Sequence, residues 1–240
     1  MSNIFFKFKQ FVIFQDQCAM KVGTDGVLLG AWVNVDRCNY ILDIGTGTGL
    51  IALMLAQRNP KAIIDAIDIE EDCVIQAKQN IAGSSFSQRI NIQNSSFQEF
   101  ATKCTEIKYD LILSNPPFFK NAMKSPNLSR NFARHDNTLS FVDIISQSSS
   151  LLADKGRLAL ILPHDCKKQI LDEAAKANLS AHRITNVFPL PHKPAKRILV
   201  ELIKDDSASV CIEDDLIIEL ARHQYSYEFK NLTDDFYLDR

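Results

Sequence analysis

The tetrapeptide Asn115-Pro116-Pro117-Phe118 contains residue types that could hold a planar nitrogen group. The amide Oδ1 of Asn115 and the carbonyl oxygen of Pro116 can each accept a hydrogen bond from an amine. The ring of Phe118 could stack on a flat heterocycle. The combination favours a ligand site, although a turn that only ends a strand could also contain two prolines.

The segment before this tetrapeptide must position it. The apolar run 111–113 predicts a buried strand of a parallel sheet. Because proline has no backbone N–H, the strand has to end at the tetrapeptide. Open α/β sheets bind their ligands at the carboxyl ends of the strands. We therefore expect Asn115 and Phe118 to project into a binding cleft.

A glycine-rich turn, Gly45-Thr46-Gly47-Thr48-Gly49, follows the predicted strand 40–44. Its glycines permit a sharp turn and a close approach of the backbone to a ligand, and the helix that follows offers unpaired N–H groups. In the dinucleotide-binding fingerprint the third glycine falls one residue later, where this chain has Leu50. This spacing disfavours an oxidoreductase of the dinucleotide type.

The second predicted strand, 62–67, ends at Asp68, 19 residues after Gly49. A carboxylate at this strand end can accept hydrogen bonds from both ribose hydroxyls of a nucleoside cofactor. Asp68 could instead cap the predicted helix 71–81. Asp65 is the competing acidic residue, but it lies inside the strand.

The segment 19–32 predicts a helix with Thr24 or Asp25 as its N-cap. Such a helix could be purely structural. Lys21 just before it and the glycines beside it favour a position against a ligand.

Several of these motifs resemble those of known methyltransferases. Gly-x-Gly-x-Gly after an acidic residue resembles motif I of the class I S-adenosylmethionine-dependent methyltransferases, and Asn115-Pro116-Pro117-Phe118 resembles the motif of those that act on a planar nitrogen. Together with 20–32 and Lys193-Pro194-Ala195-Lys196-Arg197, they resemble the bacterial valine-tRNA (adenine-N6)-methyltransferases. That family methylates the exocyclic amine of the adenine 3′ of the anticodon. The resemblance runs from about 5 to 204.

The resemblance implies an α/β fold of the class I methyltransferase (Rossmann-like) type: a seven-stranded mixed sheet flanked by helices, with a short N-terminal β extension. It implies an extension with a capping helix at 1–36, the methyltransferase domain at 37–204 and a C-terminal tail at 205–240.

The resemblance also implies S-adenosyl-L-methionine as cofactor and assigns residues to the site. In that family an acidic residue commonly reads the cofactor adenine at the position where this chain has Ser96, next to Phe97. The implied catalytic residues are Asn115, Pro116, Pro117 and Phe118. The implied cofactor-binding residues are Lys21, Thr24, Asp43, Gly45, Gly47, Gly49, Asp68, Ile69, Ser96 and Phe97.

Two basic segments are predicted to contact tRNA. The net charge is −2, so a basic surface for RNA has to be local. The first segment, 119–136, contains Lys120, Lys124, Arg130 and Arg134, and the second contains Lys193, Lys196 and Arg197. Either segment could also be an ordinary solvated loop.

The composition limits the other possibilities. The 240 residues are 46% hydrophobic and 23% charged, which is typical of a globular protein. No apolar run approaches the roughly 20 residues that span a bilayer, and no signal-peptide pattern is visible. The six cysteines form no Cys-x-x-Cys pair and the five histidines have no metal-ligand spacing. We expect a cytoplasmic protein without a metal or membrane segment, acting as a monomer.

The remaining elements are predicted from local patterns. We expect strands at 5–9, 11–14, 89–93, 109–114 and 156–162, helices at 50–57, 139–152 and 166–177, and an antiparallel pair at 184–188 and 197–203. An amphipathic helix is expected at 216–225.

Alternative functions remain open at this stage. A glutamine-N5 protein methyltransferase would use the same Asn-Pro-Pro motif, but that family usually has Tyr after it and a helical bundle at the amino terminus. Adenine-N6 methyltransferases acting on rRNA or DNA differ mainly in partner. A non-catalytic RNA-binding module would not need Asn115 and the cofactor motifs together.

Overall fold

The computed structural model describes residues 3–104, 106–117, 139–205 and 210–238. The chain begins with a small antiparallel hairpin, β1 (Phe5–Lys7) and β2 (Val12–Phe14), which confirms the predicted β extension. Eight strands then form one sheet: β3 (Tyr40–Ile44), β4 (Ile63–Asp68), β5 (Ile90–Asn94), β6 (Tyr109–Ser114), β7 (Leu152–Pro163), β8 (Ser180–Phe188), β9 (Arg197–Ile203) and β10 (Ile212–Ile217).

The sheet is mixed, with strand order β10-β8-β9-β7-β6-β3-β4-β5. Strands β3 to β7 are parallel to one another, and β9 runs antiparallel to both of its neighbours, β7 and β8. The carboxyl ends of the parallel strands therefore meet at one edge, as an open α/β ligand site requires.

Helices cover both faces of the sheet. Those in the described residues are α1 (Thr24–Trp32), α2 (Leu50–Arg58), α3 (Glu71–Ala82), α4 (Phe97–Lys103), α5 (Phe141–Leu151), α6 (Lys167–Lys176) and α7 (Tyr227–Thr233). Successive strand residues enter different cores: Ile41 and Leu111 pack in one, while Leu42 and Ile112 pack in the other. This alternation places one core on each face of the sheet.

The prediction of seven strands is wrong by one, because β10 adds an eighth. It pairs parallel with β8. The prediction of a helix at 216–225 is also wrong, because this segment contains the end of β10 and two further short strands. After β10 the chain forms a second hairpin, β11 (Glu219–Ala221) and β12 (Gln224–Tyr225).

The acidic run of β10 has partners that are distant in sequence. Lys167 Nζ lies 2.5 Å from Glu213 Oε1, and Asn186 Nδ2 donates to Asp215 Oδ1 at 2.9 Å. Such pairing allows an acidic segment to form a strand, which the sequence pattern of the C-terminal tail does not predict.

The start of α1 corrects a second prediction. Its N-cap is Gly23, and neither Thr24 nor Asp25 caps the helix. Asp25 Oδ2 instead accepts a hydrogen bond from Arg197 Nε at 2.7 Å, which ties α1 to the start of β9.

Arg89 caps the carboxyl end of α2 from outside the helix. Its guanidinium donates to the carbonyl oxygens of Ala56 at 2.8 Å, Asn59 at 2.8 Å and Ala62 at 3.3 Å. These carbonyls would otherwise lack partners at the helix end.

Replacing Arg89 with Met should lower the free energy of unfolding by about 2 kcal/mol, since hydrogen bonds from a charged donor are lost while the apolar stem is retained. Urea unfolding monitored by circular dichroism measures the change. The exposed Lys78→Met is the matched control. Equal stability of the two variants would contradict this role of Arg89.

Candidate cofactor and substrate site

Three of the predicted motifs meet at the carboxyl edge of three neighbouring strands, β4, β3 and β6. In the sheet register, Ile44 is paired with Ile67 of β4 on one side and with Ser114 of β6 on the other. Gly45, Asp68 and Asn115 directly follow or end these strands. The register thus brings together three motifs that lie far apart in sequence.

The glycine turn has two different sides. Gly45, Gly47 and Gly49 have φ values of 70°, 56° and 81°, a left-handed backbone that favours glycine. A Cβ added at Gly45 or Gly47 would meet no described atom within 4 Å, whereas one at Gly49 would lie 3.4 Å from Ala77 Cβ. The first two glycines therefore border open space, and the third packs on α3.

Hydrogen bonds from β4 and its end hold the glycine turn in place. The N–H groups of Gly45 and Thr46 both donate to the carbonyl oxygen of Ile67, at 2.9 and 3.0 Å. Asp68 Oδ2 accepts from the Gly47 N–H at 2.8 Å, and its Oδ1 accepts from the Glu70 N–H at 3.0 Å. Each carboxylate oxygen retains a lone pair that a ribose hydroxyl could reach.

Asp43 is a fully buried carboxyl group beneath the turn. Its Oδ2 accepts a hydrogen bond from Thr46 Oγ1 at 2.7 Å, while its Oδ1 has no partner among the described residues. Burial, with a smaller contribution from the charge of Asp68, raises the pKa of Asp43 to about 7. A hydrogen bond from the backbone of Ala52 in α2 opposes this rise in pKa. A buried carboxyl group beneath glycines that face open space fits a cofactor with a cationic group at this point.

Asn115 presents a second buried acceptor without a partner. Asn115 as a whole is half-buried, but its Oδ1 atom is inaccessible to solvent and makes no hydrogen bond within the described part of the chain. Ser114 Oγ donates to the Ile44 carbonyl at 2.8 Å, which fixes the end of β6 against β3. Pro116 is buried, Pro117 is exposed, and Phe118 lies outside the described residues.

The residues predicted to lie near the cofactor adenine have mixed surroundings. Ser96 is the N-cap of α4 and accepts a hydrogen bond from the Glu99 N–H, and Phe97 is buried in a core. Ile69 is 43% exposed at the same edge as Asp68. Asn94, which sequence analysis did not single out, donates to the carbonyl oxygens of Asp68 and Ile69 at 3.0 Å.

Asp65 is engaged elsewhere in the sheet. Its Oδ2 accepts from the Tyr109 hydroxyl at 2.7 Å and its Oδ1 accepts from Asn91 Nδ2 at 2.9 Å. Both oxygens thus already serve cross-strand contacts. This arrangement leaves Asp68 as the carboxylate at the end of β4.

The first turn of α1 lies between the glycine turn and a groove. A Cβ added at Gly26 would lie 3.2 Å from Leu50 of α2, which directly follows the glycine turn. Thr24 and Lys21 are exposed. On the other side, a groove is lined by Thr24, Asp25, Val187, Pro189, Lys196, Arg197 and Ile218.

The second predicted basic segment borders this groove. Lys193 and Lys196 are exposed, whereas Arg197 is half-buried and paired with Asp25. Arg197 stands opposite Pro163 in the sheet register, two strands away from the end of β6. The first predicted segment, with Lys120, Lys124, Arg130 and Arg134, lies outside the described residues.

The described residues contain no group of three or more His, Cys, Asp or Glu side chains arranged to hold a metal ion. None of the helices in 3–104, 106–117, 139–205 and 210–238 is long and apolar enough to span a membrane.

A glycine turn after β3, an acidic residue at the end of β4 and Asn-Pro-Pro after β6 together define a class I methyltransferase. The sequence model of the methyltransferase small domain family matches residues 19–177. The chain belongs to this family and, on the full-length identities that follow, to the family of tRNA1(Val) (adenine(37)-N6)-methyltransferases.

Two full-length relatives have that name. The chain is 50% identical to the tRNA1(Val) (adenine(37)-N6)-methyltransferase of Parabacteroides distasonis over 238 residues, 99% of each chain. It is 47% identical to the one of Trichodesmium erythraeum over 235 residues, 97% of each chain.

Solved structures with low sequence identity share the fold. A predicted O-methyltransferase from Agrobacterium tumefaciens superposes with a TM-score of 0.70 at 22% identity, covering 88% of this chain and 96% of that one. A ribosomal protein L11 methylase from Lactobacillus delbrueckii has a TM-score of 0.52 at 17% identity, with 74% and 75% covered. These similarities confirm the predicted Rossmann-like methyltransferase fold.

Proposed function

We propose that this protein transfers the methyl group of S-adenosylmethionine to the exocyclic N6 of an adenine in tRNA, the adenine 3′ of the anticodon of a valine tRNA. The observation that carries the proposal is the unpartnered Asn115 Oδ1 at the end of β6, beside the glycine turn that borders open space. The names of the full-length relatives supply the substrate. The same proposal places the enzyme in the cytoplasm as a monomer.

The residues around the glycine turn fit the cofactor. When bound, S-adenosylmethionine supplies an electrophilic methyl group on a sulfonium centre. Asp43 would face the cationic methionine end, and Asp68 would accept hydrogen bonds from the ribose hydroxyls. The open sides of Gly45 and Gly47 would allow the cofactor to approach the backbone. We also retain Lys21, Thr24, Gly49, Ile69, Ser96 and Phe97 as proposed members of the cofactor-binding region.

The chemistry assigned to Asn115 follows from the substrate. The lone pair of an adenine amine is delocalised into the ring, which makes the amine a poor nucleophile. Asn115 Oδ1 and the Pro116 carbonyl would accept one N–H each and favour a tetrahedral nitrogen with its lone pair directed at the methyl group. The amine proton becomes acidic only after transfer, so we assign no general base.

The adenine has to leave the anticodon loop to reach this acceptor pair. Phe118 would stack on the flipped base. The groove beside Lys193 and Lys196 would hold neighbouring RNA, with Arg197 fixed against Asp25 at its wall. Lys120, Lys124, Arg130 and Arg134 remain proposed RNA contacts.

The direct test is methylation of unmodified valine tRNA by purified protein with labelled S-adenosylmethionine, followed by nucleoside mass spectrometry. We expect N6-methyladenosine in tRNA and label in no other fraction. Label that appears in rRNA, DNA or a protein glutamine, but never in tRNA, would replace the proposed substrate with the corresponding alternative.

The exposed lysines beside the groove should account for part of the tRNA affinity. Replacing Lys193 and Lys196 with Glu should weaken tRNA binding about tenfold or more and reduce the slope of log K against log salt by about 2, because two phosphate contacts are lost. Filter binding at several salt concentrations measures both.

The matched control for this charge reversal is Lys103→Glu, an exposed lysine at the end of α4. Cofactor affinity should be unchanged in both variants. A salt slope that stays at its original value in the double variant would remove the groove from the RNA interface.

A further inference from the structure

Asn80 of α3 connects the glycine turn to the N-terminal hairpin. Its side chain is only 3% exposed. Its Nδ2 donates to the carbonyl oxygens of Thr48 and Phe14, both at 2.9 Å, and its Oδ1 accepts from the Phe14 N–H at 2.8 Å. One buried amide thus uses both donors and its acceptor on two segments that are distant in sequence.

The contacts of Asn80 belong to a row along one face of α3. Gln76, four residues earlier and 1% exposed, accepts a hydrogen bond from the Gln17 N–H at 2.9 Å through its Oε1. Cys73, at the first turn of α3, has its thiol against Cys18. Residues spaced by three and four lie on one helix face. The segment 14–18 therefore runs along α3 towards the end of β4.

The direction of this segment has a consequence for the site. After Cys18 the chain continues to Lys21 and Thr24 at the start of α1. The side chain of Gln15 holds the segment 18–22 in place, since its Oε1 accepts a hydrogen bond from the Val22 N–H at 2.8 Å. The segment that leads to α1 is thus anchored on the same helix that supports Gly49 from below.

We propose that Asn80 is a positioning residue for the cofactor. By binding Thr48 and Phe14 at once, it fixes the glycine turn relative to the N-terminal segment, so both are placed correctly around the cofactor. This inference rests on the proposed function only in taking S-adenosylmethionine as the ligand. On this proposal the N-terminal hairpin helps to position the residues that bind the cofactor.

The bonding pattern explains why asparagine is required. Its amide pairs with both the N–H and the carbonyl of Phe14 and still has a donor for Thr48. Aspartate would retain the acceptor but lose both donors, and leucine, with a similar shape, would lose all three bonds. A shift of the glycine turn by even an ångström would disturb ligand placement.

Two variants separate positioning from stability. Asn80→Leu and Gln76→Leu each remove a buried amide of α3 that contacts the N-terminal segment, but only Asn80 reaches the glycine turn. We expect both to lower the Tm, Asn80→Leu by more because it loses three hydrogen bonds to distant segments. We expect Asn80→Leu alone to weaken S-adenosylhomocysteine binding at least tenfold in calorimetry, and to raise the KM for S-adenosylmethionine by a larger factor than it lowers kcat.

A measurement on the unaltered protein keeps the inference testable if Asn80→Leu does not fold. Hydrogen exchange followed by mass spectrometry should show that S-adenosylhomocysteine slows exchange in 12–23 as well as in 45–49. Peptides from β9 serve as the control.

Several outcomes would overturn the inference. It fails if Gln76→Leu weakens S-adenosylhomocysteine binding as much as Asn80→Leu does, if Asn80→Leu leaves the Kd unchanged, or if only 45–49 is protected in hydrogen exchange. Because the binding assay contains no tRNA, a wrong substrate assignment leaves the inference intact. Absence of any S-adenosylhomocysteine binding to the unaltered protein would overturn both the inference and the proposed function.

Discussion

Asn115→Ala should lower the rate of methyl transfer to tRNA by about 10²-fold or more while the protein remains folded. Asn115 Oδ1 has no hydrogen-bond partner in the described structure, so its removal breaks no internal hydrogen bond at that atom. The variant loses one of the two acceptors that would orient the adenine amine. Misplacement of a reacting atom typically costs a factor of this size.

Single-turnover transfer of labelled methyl at saturating cofactor measures the loss, and circular dichroism checks the fold. Asn91→Ala is the matched control, because Asn91 lies on β5 and its side chain bonds Asp65. S-adenosylhomocysteine affinity should be nearly the same in both variants. A transfer rate within a few-fold of the original in Asn115→Ala would refute the proposed mechanism.

Asp43→Asn should weaken cofactor binding and change the pH dependence of stability. The pKa of Asp43 in the folded protein is about 7, above its ordinary value of 3.8. Between these pH values the folded protein holds a proton that the unfolded chain has released. The stability due to this group is therefore fully present below about pH 4 and is lost as the pH rises through about 7.

Asparagine cannot ionise, so the stability of the variant should not fall in this way as the pH rises. Relative to the original protein, its Tm in the absence of ligand should rise between pH 5 and pH 8. Its affinity for S-adenosylhomocysteine at pH 8 should fall by roughly 10- to 100-fold, because a hydrogen bond to a charged group is lost. Calorimetry at the two pH values measures both quantities.

The exposed Asp234→Asn is the control for the change of residue type. It should alter neither the ligand affinity nor the pH dependence. If Asp43→Asn keeps the ligand affinity of the original protein, Asp43 does not face the cofactor. If its Tm follows pH as the original does, Asp43 does not titrate between pH 5 and 8.

Local patterns predicted the elements that carry the site. The prolines at 116–117 end β6 where expected, and the glycine turn starts α2 at Leu50 as predicted. Both signals arise from backbone chemistry within a few residues. Proline cannot continue a strand, and glycine accepts left-handed backbone.

Features that depend on distant partners were not predictable from local patterns. Asp25 resembles a helix cap in sequence, but its partner is Arg197, 172 residues away. The acidic run of β10 is neutralised in part by Lys167 of α6. The helix α4 was missed because seven residues are too few to establish a helical period in the sequence.

The same limit applies within the site. Sequence order predicts that Asp68 is a ligand-binding carboxylate, which stays a prediction, but it does not predict that Asp68 also accepts a hydrogen bond from the Gly47 N–H. The links through Asn80 and Asn94 were not predicted, since a buried asparagine in a helix or at a strand end has no sequence signature.

The three glycines of the turn are under different evolutionary constraints. All three need the left-handed backbone, which costs an L-residue with a side chain roughly 1–2 kcal/mol. At Gly45 and Gly47 the protein leaves room for a side chain. A substitution there is therefore opposed only by the left-handed backbone and by the space that the ligand needs. At Gly49 a side chain would contact Ala77, so a substitution there is opposed by the left-handed backbone and by packing against α3. A lineage that lost the cofactor could therefore relax the space constraint at Gly45 and Gly47, while the one at Gly49 would persist for as long as the fold does.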